Sequence, residues 1–340
     1  MPNIKDLATH LNISIGTVSR ALNNRADVSK STRQLVLKAA EELGYVPNQS
    51  GRSLRQGTTN SIGLVIVSGA ESSGDHDDFF LGLMDGLQIE LSRNNLDLVV
   101  LPCPAGEDRL MYLKRMVARR IVDGLIISAT TQTDERIPFL EKSRMPFVAL
   151  GRSNSGQNYG WIDLDFDGIA QKSVDRLVGL GHKNIAVAPP DSDINLGQVF
   201  LQGYRSALHR HGLMFDPDLV IPAPGSEQGG YAIGNTLLKL EDRPTAIILI
   251  SELMAHGFYK RLAEDNLVPG KDCAVIGMRD SPNTRFLTPK LTAFSLDLQD
   301  LGQELAKTLL SRMPSFQDKY PDIPQGTIWP MDLVPGESDQ

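Results

Sequence analysis

The sequence has few of the features that mark membrane or secreted proteins. Its 340 residues include no run of about 18 apolar residues, the length that a membrane-spanning helix needs. The first residues show no apolar segment followed by a small-residue cleavage site, so no secretory signal is predicted. Only two cysteines occur, Cys103 and Cys273. Two buried thiols are the favoured interpretation, with a disulfide left open, and the cytoplasm is the predicted compartment.

Catalytic and metal-binding signatures are also lacking. No G-x-x-x-x-G-K-[ST] or G-x-G-x-x-G follows a predicted strand, and "GRSNSG" does not have the nucleophile spacing G-x-S-x-G. "DLDFDG" begins like a calcium loop, but Val174 stands where the loop requires Glu, so a strand end and a helix cap are favoured. "HRH" at 209–211 is expected on a helix surface, without a partner. No enzyme activity, cofactor or metal is therefore predicted.

The charge is unevenly distributed along the chain. The whole sequence carries a formal net charge of -7. Residues 1–60 contain eight basic and four acidic side chains, a surplus of four positive charges, so residues 61–340 carry -11. A basic first part on an acidic remainder predicts that the first part binds a polyanion.

The first 46 residues predict a helix-turn-helix and a third helix. "IKDLATHL" has its apolar residues on one helical face. Asn12 suits a tight turn because it tolerates left-handed backbone, and Ser14 can cap a second helix that runs to about Asn23. "SKSTRQLVLKAAEELG" predicts a third helix that begins at a Ser/Thr cap and ends at Gly44.

The outer face of the second helix has the chemistry of a DNA contact. It carries small or hydroxyl-bearing residues, one isoleucine and one cation: Ser14, Ile15, Gly16, Thr17, Ser19 and Arg20. Short hydroxyl side chains let a helix enter the major groove and donate to phosphates, while an arginine can pair with guanine. Carboxylates would repel the DNA backbone. The alternative is an ordinary solvated helix face.

Residues 47–60 predict a hinge that does not fold alone. Pro47 ends the third helix, Asn48 can cap a helix of about eight residues, and "QGTTNS" is typical of a linker. So short a helix, with Gly51 inside it, is unstable by itself in water. A plain linker is the alternative.

The segment "IKDLATHLNISIGTVSRALNNRADVSKSTRQLVLKAAEELGYVPNQSGRSLR" resembles the amino-terminal domain of the LacI/GalR family of transcription regulators. "TVSRALN", "VSKSTR", "ELGYVPN" and "RSLR" carry the resemblance. It implies that the second helix enters the major groove and that two hinge helices lie in the minor groove, where Leu54 wedges between bases. Ile15 and Gly16 stand at positions that commonly set operator sequence, and Gly51 stands where alanine is usual.

The pattern and the resemblance together define a predicted DNA interface. Its residues are Ile4, Ser14, Ile15, Gly16, Thr17, Ser19, Arg20, Asn23, Val28, Ser29, Thr32, Tyr45, Asn48, Gly51, Arg52 and Leu54. The predicted partner is a near-palindromic, double-stranded operator bound by a homodimer, because relatives work as two-fold dimers.

From Ser61 onward, buried strands alternate with amphipathic helices. Apolar runs such as "SIGLVIV", "VDGLIIS", "AIILIS" and "CAVIGM" are typical of parallel sheets covered on both faces. About ten such units exceed one sheet of ordinary size. The predicted fold is an all-α helix-turn-helix domain joined by a hinge helix to an α/β core of two subdomains with parallel sheets, similar to periplasmic binding proteins.

The predicted domain boundaries follow from these elements. The helix-turn-helix domain is expected at 1–46, the hinge and linker at 47–60, and the effector-binding and dimerisation domain at 61–340. The first subdomain is expected at about 61–158 plus 290–318 and the second at about 159–289 plus 319–340. A late crossing near "LTPKLTAFSLD" would return the chain to the first subdomain, and "GTIWPMDLV" would complete the second.

The cleft between the subdomains is the predicted ligand site. The predicted effector contacts are Asp77, Phe79, Arg152, Phe200, Ser251, Glu252 and Arg279, of which the last five stand at positions that the resemblance implies. Phe79, Phe80 and Phe200 could stack on a sugar ring, with core packing as the alternative for each. Phe200 replaces an arginine, and Arg279 an aspartate, that are common among sugar-responsive relatives. Arg152 and Arg279 together would suit an anionic effector such as a sugar phosphate or a sugar acid.

The sequence therefore predicts a DNA-binding transcription regulator. The favoured function is repression of carbohydrate-utilisation genes, with operator affinity switched by a sugar or sugar derivative in the cleft. Induction and corepression are both left open. The alternative is a cytoplasmic small-molecule-binding protein or an enzyme of the same α/β fold.

Overall fold

The computed structural model describes residues 2–22, 25, 27–45, 58–68, 75–321 and 323–340, with only the backbone at 68 and 75–77. The chain divides into two compact units between Thr59 and Asn60. We call the unit that ends at Thr59 the head and the unit that begins at Asn60 the body. The predicted hinge helix, 48–55, lies outside the described residues.

The described part of the head contains three helices: α1 (Ile4–Leu11), α2 (Ile15–Leu22) and α3 (Lys30–Glu42). Asn3 caps α1, and Asn12 turns the chain with a left-handed φ of 52°. The Ser14 hydroxyl accepts a hydrogen bond from the Thr17 amide at 3.0 Å, and Ser29 caps α3 in the same way. The predicted helices, turn and caps are confirmed.

The head has a small core of its own, to which all three helices contribute. Its buried side chains are Leu7, Ala8, Val18, Ala21, Val28, Val36, Ala39 and Ala40. Half of them are alanine, so the helices can approach one another closely with little side-chain bulk between them. The side chains on the opposite face of α2 lie outside this core.

The body alternates strands and helices along most of its length. In chain order its elements are β1 (Ser61–Ser68), α4 (Asp75–Ser92), β2 (Asp97–Pro104), α5 (Arg109–Arg119), β3 (Gly124–Ile127), α6 (Arg136–Ser143), β4 (Phe147–Leu150), β5 (Gly160–Leu164), α7 (Phe166–Gly179), β6 (Ile185–Ala188), α8 (Asn195–Arg210), α9 (Glu227–Leu237), β7 (Ala246–Leu249), α10 (Glu252–Glu264), β8 (Ala274–Arg279), β9 (Thr292–Ser295), α11 (Leu298–Leu310), β10 (Gly326–Trp329) and β11 (Asp332–Val334). Short 3₁₀ turns occur at Pro217–Leu219 and Gln317–Lys319.

The first sheet has six strands in the order β10-β5-β4-β3-β1-β2, all parallel. Its two faces belong to separate core clusters. Ile62 and Leu64 of β1 pack with α4 and α11, whereas Val65 packs with α5 and α6. The apolar residues of β1 thus alternate between two buried faces, which explains why its sequence reads as one continuous apolar run.

The second sheet has five strands in the order β11-β9-β8-β7-β6. Strands β6 to β9 are parallel, and β11 pairs antiparallel to β9. Helix α7 packs on α8 and α9 packs on α10, and α7 and α10 both contact the central strands β7 and β8. Two α/β subdomains with parallel sheets are therefore present, and only the short strand β11 departs from the predicted direction.

The chain passes between the two sheets three times, through short connections. Residue 165 joins β5 to α7, residues 296–297 join β9 to α11, and residues 330–331 join β10 to β11. The predicted subdomain boundaries differ from this arrangement at three strands. Strands β5 and β10 lie in the first sheet and β9 lies in the second. An apolar run identifies a strand but not its partner, and β5 pairs with a strand that comes more than 150 residues later.

The residues that follow β11 pack back onto the second sheet. The Ser338 hydroxyl donates to the Val275 carbonyl at 2.6 Å and accepts from the Thr292 amide at 2.9 Å. Asp339 is fully buried, forms an ion pair with Arg176 and accepts a hydrogen bond from the Thr292 hydroxyl at 2.8 Å. The tail is therefore a structural part of the second subdomain.

Helices α4 and α11 cross at a pair of glycines. A Cβ atom added at Gly302 would collide with the carbonyl oxygen of Leu83, and one at Gly86 with the carbonyl oxygen of Gln299. The colliding atoms belong to the backbone, which cannot rotate away. The close approach of these two helices therefore requires glycine at both positions.

We expect Gly302→Ala to lower the free energy of unfolding by about 1–3 kcal/mol, since extra volume in a packed interior costs that much. Gly179→Ala is the matched control, because no atom lies within 4 Å of its added Cβ. The control should be neutral or stabilising by up to about 1 kcal/mol. Urea unfolding of both variants compares them, and equal stabilities would contradict the close approach.

Candidate functional site

The outer face of α2 is accessible and contains no acidic side chain. Exposed positions on or beside it are Ser14, Ile15, Gly16 and Arg20, and half-buried ones are Thr17 and Ser19. Ile15 is an apolar side chain that is 44% exposed. An exposed isoleucine beside hydroxyls and one guanidinium suits contact with thymine methyl groups, phosphates and guanine.

Arg20 has a carboxylate neighbour that holds it loosely. Its Nε lies 3.5 Å from Oδ2 of Asp27, and both side chains are more than half exposed. Exposed ion pairs of this kind contribute about 0–1 kcal/mol, so DNA can displace Asp27 from the guanidinium. Arg33 donates to the carbonyl oxygen of Arg25 at 2.8 Å and so is directed back toward the head.

Several other predicted DNA contacts have mainly structural positions. Val28 is buried in the core of the head, so it offers almost no surface, and its prediction as a contact is not supported. Ile4 and Tyr45 are half-buried against the same core. The hydroxyls of Ser29 and Thr32 lie 2.8 Å apart at the start of α3. The remaining predicted contacts lie outside the described residues: Asn23, Asn48, Gly51, Arg52 and Leu54.

A cavity of about 460 Å³ lies between the two sheets of the body. Residues at the carboxyl ends of strands from both sheets line it: Val67, Pro104, Leu150, Leu164, Ile250 and Met278. Phe79, Phe80 and Phe166 add aromatic surface. The strands of parallel α/β sheets end at one edge, and ligands bind there. The volume is within the range of about 300–1,000 Å³ that is typical of small-molecule sites.

One ion pair of the cavity joins Arg152 to Asp163. The Nε of Arg152 lies 3.1 Å from Oδ2 of Asp163, whose side chain is 4% exposed. Burial raises the pKa of Asp163 to about 6, although the guanidinium of Arg152 acts in the opposite direction. The carboxyl group therefore titrates close to neutral pH inside the cavity.

A second ion pair joins Arg279, at the end of β8, to Glu252, at the start of α10. Nε and Nη2 of Arg279 both lie 2.6 Å from Oε1 of Glu252, and both side chains are almost fully buried. Nη2 also lies 3.6 Å from Oδ2 of Asp78, and the guanidinium lies 5.8 Å from the ring centre of Phe79. Asp78 and Phe79 belong to α4 on the first subdomain, so Arg279 reaches across the cleft.

Buried hydrogen bonds fix the backbone around Arg152. Its carbonyl oxygen accepts from the Thr130 hydroxyl at 3.1 Å and from the Asn195 side-chain amide at 2.8 Å. Arg136, paired with the buried Asp134, donates to the carbonyl oxygens of residues 128 and 129 next to this turn. This framework was not found from the sequence, because its members are common polar residues that come together only in the fold.

Five of the seven predicted effector contacts line the cavity: Phe79, Arg152, Ser251, Glu252 and Arg279. Phe200 does not line it, and the prediction for this residue is wrong. Its side chain is fully buried in the core beneath α8. The resemblance assigned Phe200 the helix position of an arginine that is common in the family. The apolar ring of Phe200 packs in the core cluster instead. The side chain of Asp77 lies outside the described part.

The other motifs have structural positions. Asp165 caps α7 by accepting from the Gly168 amide at 3.0 Å, as predicted for "DLDFDG". His211 does have a partner, contrary to expectation, because its Nε2 lies 2.6 Å from Oδ1 of Asp175. Cys103 and Cys273 are both buried and are not joined in a disulfide, which confirms the favoured interpretation. In the described part of the chain, no cluster of three or more His, Cys, Asp or Glu side chains could hold a metal ion.

Among the described residues, no helix combines the length and the apolar character that crossing a membrane requires.

A helix-turn-helix head before a two-sheet body with a central cavity is the architecture of ligand-responsive DNA-binding proteins. The family description of bacterial regulatory proteins of the lacI family matches residues 3–48, and that of the periplasmic binding protein-like domain matches 174–338. The chain belongs to the lacI family. It is a DNA-binding transcription regulator.

Curated relatives and a solved structure support this assignment along the whole chain. The HTH-type transcriptional regulator RafR of Escherichia coli is 34% identical over 278 residues, which cover 82% of this chain and 81% of RafR. The HTH-type transcriptional regulator AglR of Rhizobium meliloti is 31% identical over 340 residues, with 98% and 92% covered. The solved complex of the transcriptional regulator CelR with cellobiose has a TM-score of 0.73 and 26% identity, with 99% and 100% covered.

The pKa of Asp163 generates a prediction for stability. A folded-state pKa of about 6, above the ordinary 3.8, means that the folded protein binds this proton more tightly than the unfolded chain. The resulting stabilisation is complete below about pH 4 and is lost as the pH rises through 6. We expect the melting temperature of Asp163→Asn, relative to the wild type, to rise between pH 5 and pH 7.

Thermal unfolding at pH 5, 6 and 7 measures this difference. Asp191→Asn is the control, because Asp191 is an exposed carboxylate that lines the same cavity. If both variants shift with pH in parallel, the effect does not come from Asp163.

Proposed function

We propose that this regulator binds a neutral sugar in the cavity between its two sheets and that the bound sugar changes its affinity for an operator. The observation that carries the proposal is the charge balance of the cavity. Three arginines line it, and two of them already have a carboxylate partner from their own subdomain, as Arg152 has Asp163 and Arg279 has Glu252.

This pairing favours a neutral ligand over an anion. Arg109 also lines the cavity, and it donates to the carbonyl oxygen of Ala129 at 3.1 Å. A phosphate or carboxylate ligand would have to displace Asp163 or Glu252, which would leave a buried carboxylate without its partner, at a cost of several kcal/mol. The anionic effector that the two arginines suggested from the sequence is therefore disfavoured.

The same pairing suits the hydroxyl groups of a sugar. Carboxylates accept hydrogen bonds and guanidinium groups donate them, so each ion pair offers both functions at a fixed distance. Phe79, Phe80 and Phe166 supply apolar surface for the faces of a sugar ring. The related regulator CelR was solved as a complex with cellobiose, so a sugar ligand has a precedent in a protein of similar structure.

The head and the family support the remaining parts of the proposal. A single head with a surplus of four positive charges contacts few base pairs, so we infer a homodimer on a near-palindromic operator. Repression of carbohydrate-utilisation genes fits the relatives, which are regulators of transcription. No catalytic role is proposed, because the buried carboxylates of the cavity, Asp163 and Glu252, are held in ion pairs. We place this function in the cytoplasm, where the DNA is.

A thermal-shift screen of the full chain against matched pairs of ligands tests the effector class. Neutral mono- and disaccharides are compared with their phosphate esters and with the corresponding sugar acids, at pH 7.5 and fixed salt. We expect a neutral sugar to raise the melting temperature and its charged analogue to have little effect, because only a ligand that binds the folded state stabilises it. Stronger stabilisation by the charged member of a pair would contradict the proposal.

Arg20→Ala tests the DNA-contacting face of α2. With an operator duplex selected from a random library, we expect a loss of about 1–3 kcal/mol, since a paired guanine gives that much discrimination. Random duplex DNA should lose much less. Lys38→Ala removes the same charge from an exposed position on α3 and is the control. Fluorescence titration at fixed salt measures the affinities of the wild type and of both variants for both DNAs. Equal losses for both variants on both DNAs would show Arg20 to be a phosphate contact only.

A further inference from the structure

Contacts of different strength cross the cleft between the subdomains. The first is a set of complete hydrogen bonds around Asn195, at the start of α8 in the second subdomain. Its backbone amide donates to the Thr130 carbonyl at 2.8 Å, and its side-chain amide donates to the Arg152 carbonyl at 2.8 Å. Thr131 and Ile194 add an antiparallel bridge. This contact is buried and fully bonded, so it is expected to persist.

The second contact is an ion pair between Asp78 of α4 and Arg279 of β8. Oδ2 of Asp78 lies 3.6 Å from Nη2 of Arg279, too far for a hydrogen bond. Glu252 holds the guanidinium in place from the side of the second subdomain. Arg279 is therefore fixed, and the distance to Asp78 depends on how the first subdomain is positioned.

The Asp78 carboxylate is only partly satisfied in this position. Its Oδ2 atom is shielded from solvent and accepts no hydrogen bond within the described residues. A buried carboxylate oxygen gains most when it accepts a hydrogen bond from a charged donor. A movement of less than 1 Å that brings α4 toward β8 would convert the 3.6 Å ion pair into such a bond, whose ordinary length is about 2.7–2.9 Å. Opening the cleft would lengthen it and lose the attraction.

We propose that Asp78, Arg279 and Glu252 form a cross-cleft latch that favours the closed arrangement of the two subdomains in the absence of any ligand. Glu252 positions Arg279, and Asp78 is the part that engages or releases. Phe79, beside Asp78, lies against the same guanidinium and moves with it, so the latch also places an aromatic side chain of the cavity. Asp78 thereby acts as a positioning residue.

The latch has a consequence for regulation that rests on the proposed function. An effector that binds the closed cleft needs less of its own binding energy for closure when the latch already favours that state. Loss of the latch would then weaken effector binding. The latch itself is defined without a ligand, so it is tested without one.

The experiment measures how readily the cleft opens in the ligand-free, full-length protein. Ser251 lines the cavity and is 6% exposed, so Ser251→Cys places a thiol there with little change of volume. The rate at which a small neutral maleimide labels this cysteine reports opening. The wild type provides the background, because Cys103 and Cys273 are buried.

Four changes are combined with Ser251→Cys. Asp78→Asn should raise the labelling rate about two- to fivefold, the size expected when a partly exposed ion pair is lost. Asp78→Lys, which places like charges together, should raise it further, and Asp78→Glu should stay close to the parent. Asp85→Lys is the control, because Asp85 lies exposed on the same helix away from the cavity lining. Melting temperatures verify that each variant is folded.

Salt provides a second, independent measurement. Raising the ionic strength screens a half-exposed ion pair, so labelling of the parent should accelerate with salt while that of Asp78→Asn should not. Equal labelling rates in the Asp78→Lys and Asp85→Lys variants, or the same salt response in parent and Asp78→Asn, would overturn the latch. A sugar screen without hits would count against the proposed effector but would leave these rates unaffected.

Discussion

The three short connections between the sheets constrain everything else in the body. One residue joins β5 to α7, and two residues each join β9 to α11 and β10 to β11. The connections are also bound to one another, since the Asp165 amide donates to the Trp329 carbonyl at 3.1 Å and the Lys172 ammonium donates to the Met331 carbonyl at 2.7 Å. The subdomains therefore cannot separate, and their relative motion is limited to rotation about this bundle of crossings. A ligand between the strand ends is contacted from both sides, so its binding is coupled to that rotation.

The ion pairs of the cavity follow from the same architecture. Strand ends point polar side chains into a cleft from which packing excludes much of the water, and an arginine in such a place is costly unless it is paired. Both Arg152 and Arg279 find their partners within their own subdomain. The cleft can then open and close without separating either arginine from its carboxylate partner. The contacts that cross between the subdomains include hydrogen bonds to backbone carbonyls and the 3.6 Å ion pair of Asp78 with Arg279.

The sequence was most informative where structure depends on neighbours along the chain. The turn at Asn12, the caps at Ser14 and Ser29 and the end of α3 follow from local backbone preferences and appear as expected. The sheet membership of β5, β9 and β10 depends on partners far away in sequence, which apolar patterns do not encode. The Arg152–Asp163 pair was missed for the same reason, because the predicted boundary placed β4 and β5 in different subdomains although they pair in the structure. Phe200 shows the opposite case. The resemblance aligned it with an arginine, but its aromatic side chain is buried in the core.

The buried tail sets an order for synthesis on the ribosome. The described core of the head is built from residues up to Tyr45, so it can form while the body is still being made. Neither sheet is complete until residues 326–339 have been synthesised, because β10 must reach β5, and Ser338 and Asp339 must reach Val275 and Arg176. Until then β5 presents an open strand edge that is prone to wrong pairing. The nascent regulator thus has the helices that bind DNA long before it has a complete effector-binding body, and it stays vulnerable to aggregation until these residues have been added.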